Sequence, residues 1–323
     1  MNDLKKEVVT HYLDTLEVTS DLFKSKSHET LYNSTLRKGS TISTLFKLID
    51  VSNPLWNKKY WKAFHCKNIL LQDGDKLKGS LCRKRWCQTC NRVKTAELIN
   101  AYSKPLQSLQ QEDALYFVTL TTKTVKAGKL KDEIKKRYEA FTRIKDNLRK
   151  NYAIKLVGAR KLEVTYNEQS NEYHPHFHFI QKGLKESELL LKLWLEQFPN
   201  ASNKAQDIRL IDANNSDNLV EVFKYATKQC VKDEASAMAL NNIYIAIDGK
   251  RTFQTYGKLK KVESVIEEKE EYSNADFIEP KSEIWKYDND LNDYTNAYEV
   301  KLINTIFIKS KIFEAKKKCG LSN

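Results

Sequence analysis

No run in this 323-residue chain approaches the roughly 20 apolar residues that a membrane-spanning helix needs, and the opening MNDLKKEVV has no apolar stretch of the secretory kind. A cytoplasmic protein without a membrane partner is expected. Cysteine is scarce too. Six in a chain of this size are too few for a disulfide scaffold, yet four of them fall within 25 positions, the distribution of metal ligands in a reducing compartment. Histidine is equally rare, six in all, and three of the six stand at 174, 176 and 178. No internal repeat is visible.

What the chain has in excess is positive charge. Hydrophobic residues at 41% supply a globular core, while 55 Lys and Arg against 42 Asp and Glu leave +13 at neutral pH, which points to a polyanionic partner. The charge is segregated. Residues 123–161 hold fourteen Lys or Arg against four acids, and residues 262–299 hold twelve acids against three lysines. A basic belt directly before the histidines suggests nucleic acid reaching them, although charged helix faces are also simply solvated.

Periodicity divides the chain into a helical arm (1–60), a cysteine element with a following helix (61–110), a mixed domain (111–261), and an acidic segment with a C-terminal helix (262–323). In the mixed domain, Leu115 to Thr121 reads as a strand and Leu130 to Asn151 as a Lys-rich amphipathic helix. Gly158–Tyr166 and Tyr173–Gln181 read as a β-hairpin across the polar turn 167–171. A helix near 186–197, a strand near 205–211, a helix near 217–233 and a strand at Tyr244–Ile247 follow. Such mixing without strict βαβ alternation predicts an α+β fold, one sheet with helices on one face.

Three constellations carry chemistry. Cys66, Cys82, Cys87 and Cys90 match a tetrahedral structural zinc site, with His65 as an alternative to Cys66. The Arg, Lys and Trp86 around them suit phosphate contact and base stacking, or Trp86 packs on the zinc loop. In YHPHFHFI, side chains two apart share a strand face, so His176 and His178 project together while Phe177 and Phe179 enter the core. His174 shares their face or is only a turn residue. A carboxylate usually completes such a pair. Glu163, inside an apolar alternation on the partner strand, is the candidate, with a surface salt bridge as its bland alternative. Finally, 100° spacing groups Leu219, Val222, Phe223, Ala226 and Cys230 on one helix face and Glu221, Tyr225, Lys228 and Lys232 on the other.

LCRKRWCQTC, FVTLTT, RKLEVTYN followed by HPHFHF, and EVFKYATK, in that order, resemble the Rep initiators of small rolling-circle plasmids, part of the HUH endonuclease superfamily. The segment RTFQTYGKLKK looks like that family's last strand-to-helix element. Gln88 departs from the pattern, since Pro usually follows the zinc cysteine there. The resemblance implies an HUH-type antiparallel sheet with flanking helices and an inserted four-cysteine zinc element, between helical N- and C-terminal extensions. It implies His176, His178 and Glu163 as ligands of Mg2+ or Mn2+, Tyr225 as nucleophile, and Glu221 as the carboxylate for a terminating, water-dependent cleavage. Lys228 is placed to lower the pKa of Tyr225. The implied activity is nicking of one origin strand, with a 5′-phosphotyrosyl link and a free 3′-OH. The implied partners are origin DNA, single-stranded at the nick and duplex beside it, and a host helicase, with a homodimer open. A single-tyrosine HUH transposase and a non-catalytic zinc-containing DNA-binding regulator are the alternatives.

Overall fold

The structure, a computed structural model, describes residues 26–73, 76–215, 219, 223, 231–262, 283–291 and 293–296. The described residues fall into two compact units. One unit comprises those up to Asn91, with Gln229–Met238 and those beyond Glu268; the other spans Arg92–Lys228 and Ala239–Glu267.

The second unit is built on a five-stranded antiparallel sheet of β3 (Leu115–Leu120), β4 (Gly158–Asn167), β5 (Glu172–Lys182), β6 (Asp207–Ile211) and β7 (Phe253–Tyr256), in the order β6-β3-β5-β4-β7. β4 and β5 form the expected hairpin. Its polar turn closes through Asn167, whose side-chain oxygen accepts from the backbone N–H groups of Gln169 and Ser170, and Asn171 takes the left-handed conformation (φ 49°) that Asn tolerates. Phe177 and Phe179 are fully buried. Against them packs the amphipathic α4 (Ala127–Asn151), whose buried Leu130, Ile134, Arg137, Phe141, Ile144 and Leu148 follow helical spacing. The indole of Trp194, in α5 (Leu184–Gln197), contacts Phe177 and donates to the carbonyl of Thr121.

Helices do not keep to one face, as the sequence suggested. The opposite side of the sheet, where Phe117, Ala159 and Ile180 lie, packs with Leu106 and Leu109 of α3 (Gln88–Glu112) and with Leu219 and Phe223. Both of the latter are helical and buried. Two hydrophobic layers sandwich the sheet. The Tyr244–Ile247 strand expectation also fails, because α6 (Glu234–Ala246) runs helical to Ala246. Its buried Ala237, Leu240, Ile243, Tyr244 and Ile247 recur at three and four residues, so the helix face decides over the β-propensity of Tyr and Ile.

In the first unit, α1 (Lys26–Val51) and α2 (Pro54–Trp61) accompany a four-stranded antiparallel sheet of order β2-β1-β8-β9. β1 (Ile69–Asp73) and β2 (Lys76–Gly79) lie between Cys66 and Cys82. β8 (Glu283–Asp288) and β9 (Asp293–Thr295) come from the acidic segment and pair across the sheet with β1 through β8. Trp285 and Tyr287 point inward at period two, with Lys286 exposed between them, so strand formation follows side-chain alternation and not net charge. The expected C-terminal helix lies outside the described residues.

Candidate metal centres and active site

Glu163, His176 and His178 converge on one sheet face. The register sets Glu163 opposite His176 and Lys161 opposite His178, and the ligand atoms of the triad lie within 4.8 Å of one another. Glu163 Oε2 is 3.3 Å from His178 Nε2. The ring nitrogens are oriented from behind: His176 Nδ1 is 3.0 Å from the carbonyl of His174, and His178 Nδ1 is 3.1 Å from Thr119 Oγ1. Only a protonated Nδ1 can donate to a carbonyl, so Nε2 of His176 keeps its lone pair, the form a metal ligand requires. His174 stacks on His176, with ring centroids 5.0 Å apart, and stands outside the triad.

Electrostatics prepare the site for a cation. Burial would push the Glu163 carboxyl up, but the His178 hydrogen bond and the charges of Lys161, His176 and His178 outweigh it and hold the pKa at about 2. Burial pushes His176 down to about 4, against the pull of Glu163, so the imidazole is neutral at physiological pH. Two imidazoles and one carboxylate fit a divalent cation. Lys161 was missed by the sequence reading. It is buried, with Nζ 3.7 Å from Glu163 Oε2, and its alternation with Glu163 along β4 was the available signal. Thr119 was missed as well, since its role needs the β3–β5 register.

The four cysteines also meet. Their sulfurs lie within 4.8 Å of one another, with Cys66–Cys90 and Cys82–Cys90 at 3.5 Å. That is too long for a disulfide and close to the edge of a tetrahedron of zinc–sulfur bonds, about 3.8 Å for bonds of about 2.3 Å. The backbone N–H groups of Cys82 and Arg83 point at Cys66 Sγ (3.5 Å) and Cys90 Sγ (3.2 Å). Hydrogen bonds from Cys82, Cys87 and Cys90 drive the Cys66 thiol down, while sharing with Cys66 drives Cys82 and Cys87 up. His65 is exposed and lies outside the cluster. Behind the cluster, the buried Lys38 donates to the carbonyls of Phe64 (3.1 Å) and Cys66 (2.7 Å) and to Asn68 Oδ1 (2.5 Å), tying α1 to the knuckle.

Trp86 is no stacking surface. It is buried, edge-on to Tyr60 (5.1 Å) and Trp56 (6.1 Å). The basic belt is partly interior too: Arg137, Arg160 and Lys161 are buried, with Arg160 over the rings of Tyr138, Phe141 and Phe177. Moreover, α4 lies on the phenylalanine face of the sheet, opposite the triad. Proximity in sequence does not carry that helix to the site. Glu221, Tyr225 and Lys228 lie outside the described residues. Their neighbours Leu219 and Phe223 pack on the triad's side of the sheet, Phe223 against Tyr102 and Phe253, and the Phe223 carbonyl accepts from Thr95.

Residues 75–305 match a family described as replication protein. The chain belongs to the Rep family of plasmid replication initiators. A protein rep of Staphylococcus aureus is 28% identical over 163 residues, 47% of this chain and 71% of that one. Another, of Lactiplantibacillus plantarum, is 25% identical over 224 residues, covering 61% and 69%. A third, of a Bacillus species, is 28% identical over 142 residues, but this Rep chain spans only 45% of its length. No solved structure matches the chain. Among the described residues, no helix is long and apolar enough to cross a membrane.

Proposed function

We propose that this Rep protein is an HUH-type endonuclease that nicks one strand of its plasmid origin and becomes covalently attached to it. The observation that carries the reading is the placement of Leu219 and Phe223, helical and buried on the sheet face that holds Glu163, His176 and His178. Leu219 and Phe223 belong to the apolar face expected from the sequence, with Glu221, Tyr225 and Lys228 grouped on the other.

Tyr225 is the nucleophile in this reading. Its oxygen attacks the scissile phosphorus, the bond from phosphorus to the 3′ oxygen breaks, and the electron pair leaves with that oxygen, which takes a proton and becomes a primer 3′-OH. A phenol with an ordinary pKa near 10 is only about a thousandth ionised at neutral pH. Lys228, three residues on in the sequence, favours the phenolate. Glu163, His176 and His178 hold Mg2+ or Mn2+, which when bound polarises the scissile phosphate and stabilises the leaving oxygen. Glu221 is the base that activates water for the terminating cleavage, which releases the protein without a second tyrosine. Cys66, Cys82, Cys87 and Cys90 hold a structural Zn2+.

Residues 111–261 form the endonuclease domain in this scheme, with the arm (1–60) and the cysteine element (61–110) reading the duplex beside the nick. The partners are origin DNA, single-stranded at the nick with duplex beside it, a host helicase, and a second copy of the chain if the origin carries paired sites. The reaction belongs to the cytoplasm. The test is incubation of the protein with a labelled origin oligonucleotide and Mn2+, followed by denaturing electrophoresis. A labelled adduct that survives SDS supports the reading, and free label at every metal concentration overturns it.

A further inference from the structure

α2 has two faces with different jobs. Trp56 and Tyr60 turn inward onto Trp86, which commits Trp61, the next residue and 100° further round, to solvent. Trp61 is 44% exposed and Phe46, on α1, 48%. After α2 the chain folds back so that Phe64 stacks on Trp61 with ring centroids 4.5 Å apart and planes 5° apart. His65 stands edge-on to both, and Phe46 lies 6.2 Å from Phe64. The result is an aromatic platform outside the core. It is held from below, because Lys38 binds the carbonyls of both Phe64 and Cys66.

The surroundings say what such a platform takes. Residues 53–91 carry nine Lys or Arg, Lys58, Lys59, Lys62 and Lys67 among them, against two acids, Asp73 and Asp75. Lys58, three residues before Trp61, and Lys62, directly after it, are exposed. Apolar ring faces beside the exposed Lys58 and Lys62 fit a ligand that alternates flat π-faces with phosphates. In a duplex those faces are already stacked on one another, so only unpaired bases can extend the Phe64–Trp61 stack.

We propose that Phe46, Trp61 and Phe64 form a stacking site for unpaired bases of DNA, with Lys58 and Lys62 contacting phosphate. The site deepens the reading of the chain as an origin nickase, on which its biological role rests, but its test does not use cleavage. Full-length protein is titrated at fixed salt with a fluorescent oligothymidylate and with an abasic oligonucleotide of equal length. The wild type is expected to bind the thymidylate on the order of ten-fold more tightly than the abasic strand. Trp61→Ala is expected to lose that preference without changing abasic binding, and Trp61→Phe to keep most of it. Bound zinc and melting temperature, unchanged in both variants, separate stacking from unfolding. Equal wild-type affinity for the two strands overturns the proposal, as does unchanged thymidylate binding by Trp61→Ala. Trp61-dependent binding of anionic vesicles or of an acidic peptide, with thymidylate binding unaffected, overturns it in favour of another partner. Base-dependent binding that requires Trp61 supports the site even where no SDS-resistant adduct forms, an outcome that sinks only the nickase reading.

Discussion

Thr119 Oγ1 lies 3.1 Å from Nδ1 of His178, directly across the β3–β5 register. The hydroxyl fixes which nitrogen of that imidazole faces Glu163. Thr119→Val keeps the shape and β-propensity of the side chain but removes the oxygen. Metal binding, read by the Mn2+ dependence of the thermal melt, is expected to weaken about ten-fold with the metal-free melt little changed. An unchanged Mn2+ titration would leave Thr119 a sheet residue only.

Glu163→Ala should act in the same direction and more strongly, raising the Mn2+ needed for half-maximal effect by roughly ten- to a hundred-fold. It also leaves the buried Lys161 without the carboxylate beside it, so a lower melting temperature is expected. Destabilisation with no change in metal dependence would make Glu163 a structural partner of Lys161.

Acid should loosen the metal-free protein through His176. Its folded pKa, about 4, is below the ordinary value near 6.5, so the unfolded chain binds the extra proton. The stability tied to the neutral ring is fully present above about pH 6.5 and is lost as pH falls toward 4, about 2 kcal/mol of it by pH 5. Denaturant melts at pH 7 and pH 5 measure the slope, and His176→Asn should flatten it. A slope identical in wild type and variant would place the proton uptake elsewhere.

About one zinc per chain is expected in undenatured protein by elemental analysis. Cys87→Ser should release it and lower the stability of the cysteine unit. Lys38→Met, which leaves the carbonyls of Phe64 and Cys66 without their donor, should speed zinc loss to a chelator. Protein purified without zinc but with a full melt would refute the cluster's structural role.

Tyr225→Phe removes only the attacking oxygen and should bind origin DNA normally while forming no adduct. Glu221→Ala should still nick and attach, yet release poorly at termination. Loss of the first cleavage in Glu221→Ala would assign the carboxylate to the tyrosine itself. Tyr256 is a poor substitute nucleophile, because its hydroxyl donates to Gln181 within the sheet and burial drives its pKa up.

The hairpin was legible because two independent signals agree there: strict alternation in KLEVT and HPHFHF, and a polar turn of the right length. The cysteines were legible by spacing alone. What escaped the sequence reading needed three dimensions. Trp86 sits among cations in sequence but among rings in space, and the fourteen cations before the histidines include three that point inward. β8 was hidden because acidic composition masks the Trp285–Tyr287 alternation. Tyr244 and Ile247 read as strand until the alanines before them are counted on a helical period.

The sheet beside the cysteines is closed by residues from distant parts of the chain: Leu70 pairs with Trp285. The five-stranded sheet, in contrast, has all its strands by Tyr256. Synthesis therefore imposes an order. A nascent chain can complete the histidine sheet while the β1–β2 hairpin still lacks β8, and it must carry that open strand edge until β8 has left the ribosome. Metal captured early by the four thiols would hold the waiting hairpin in register over the interval.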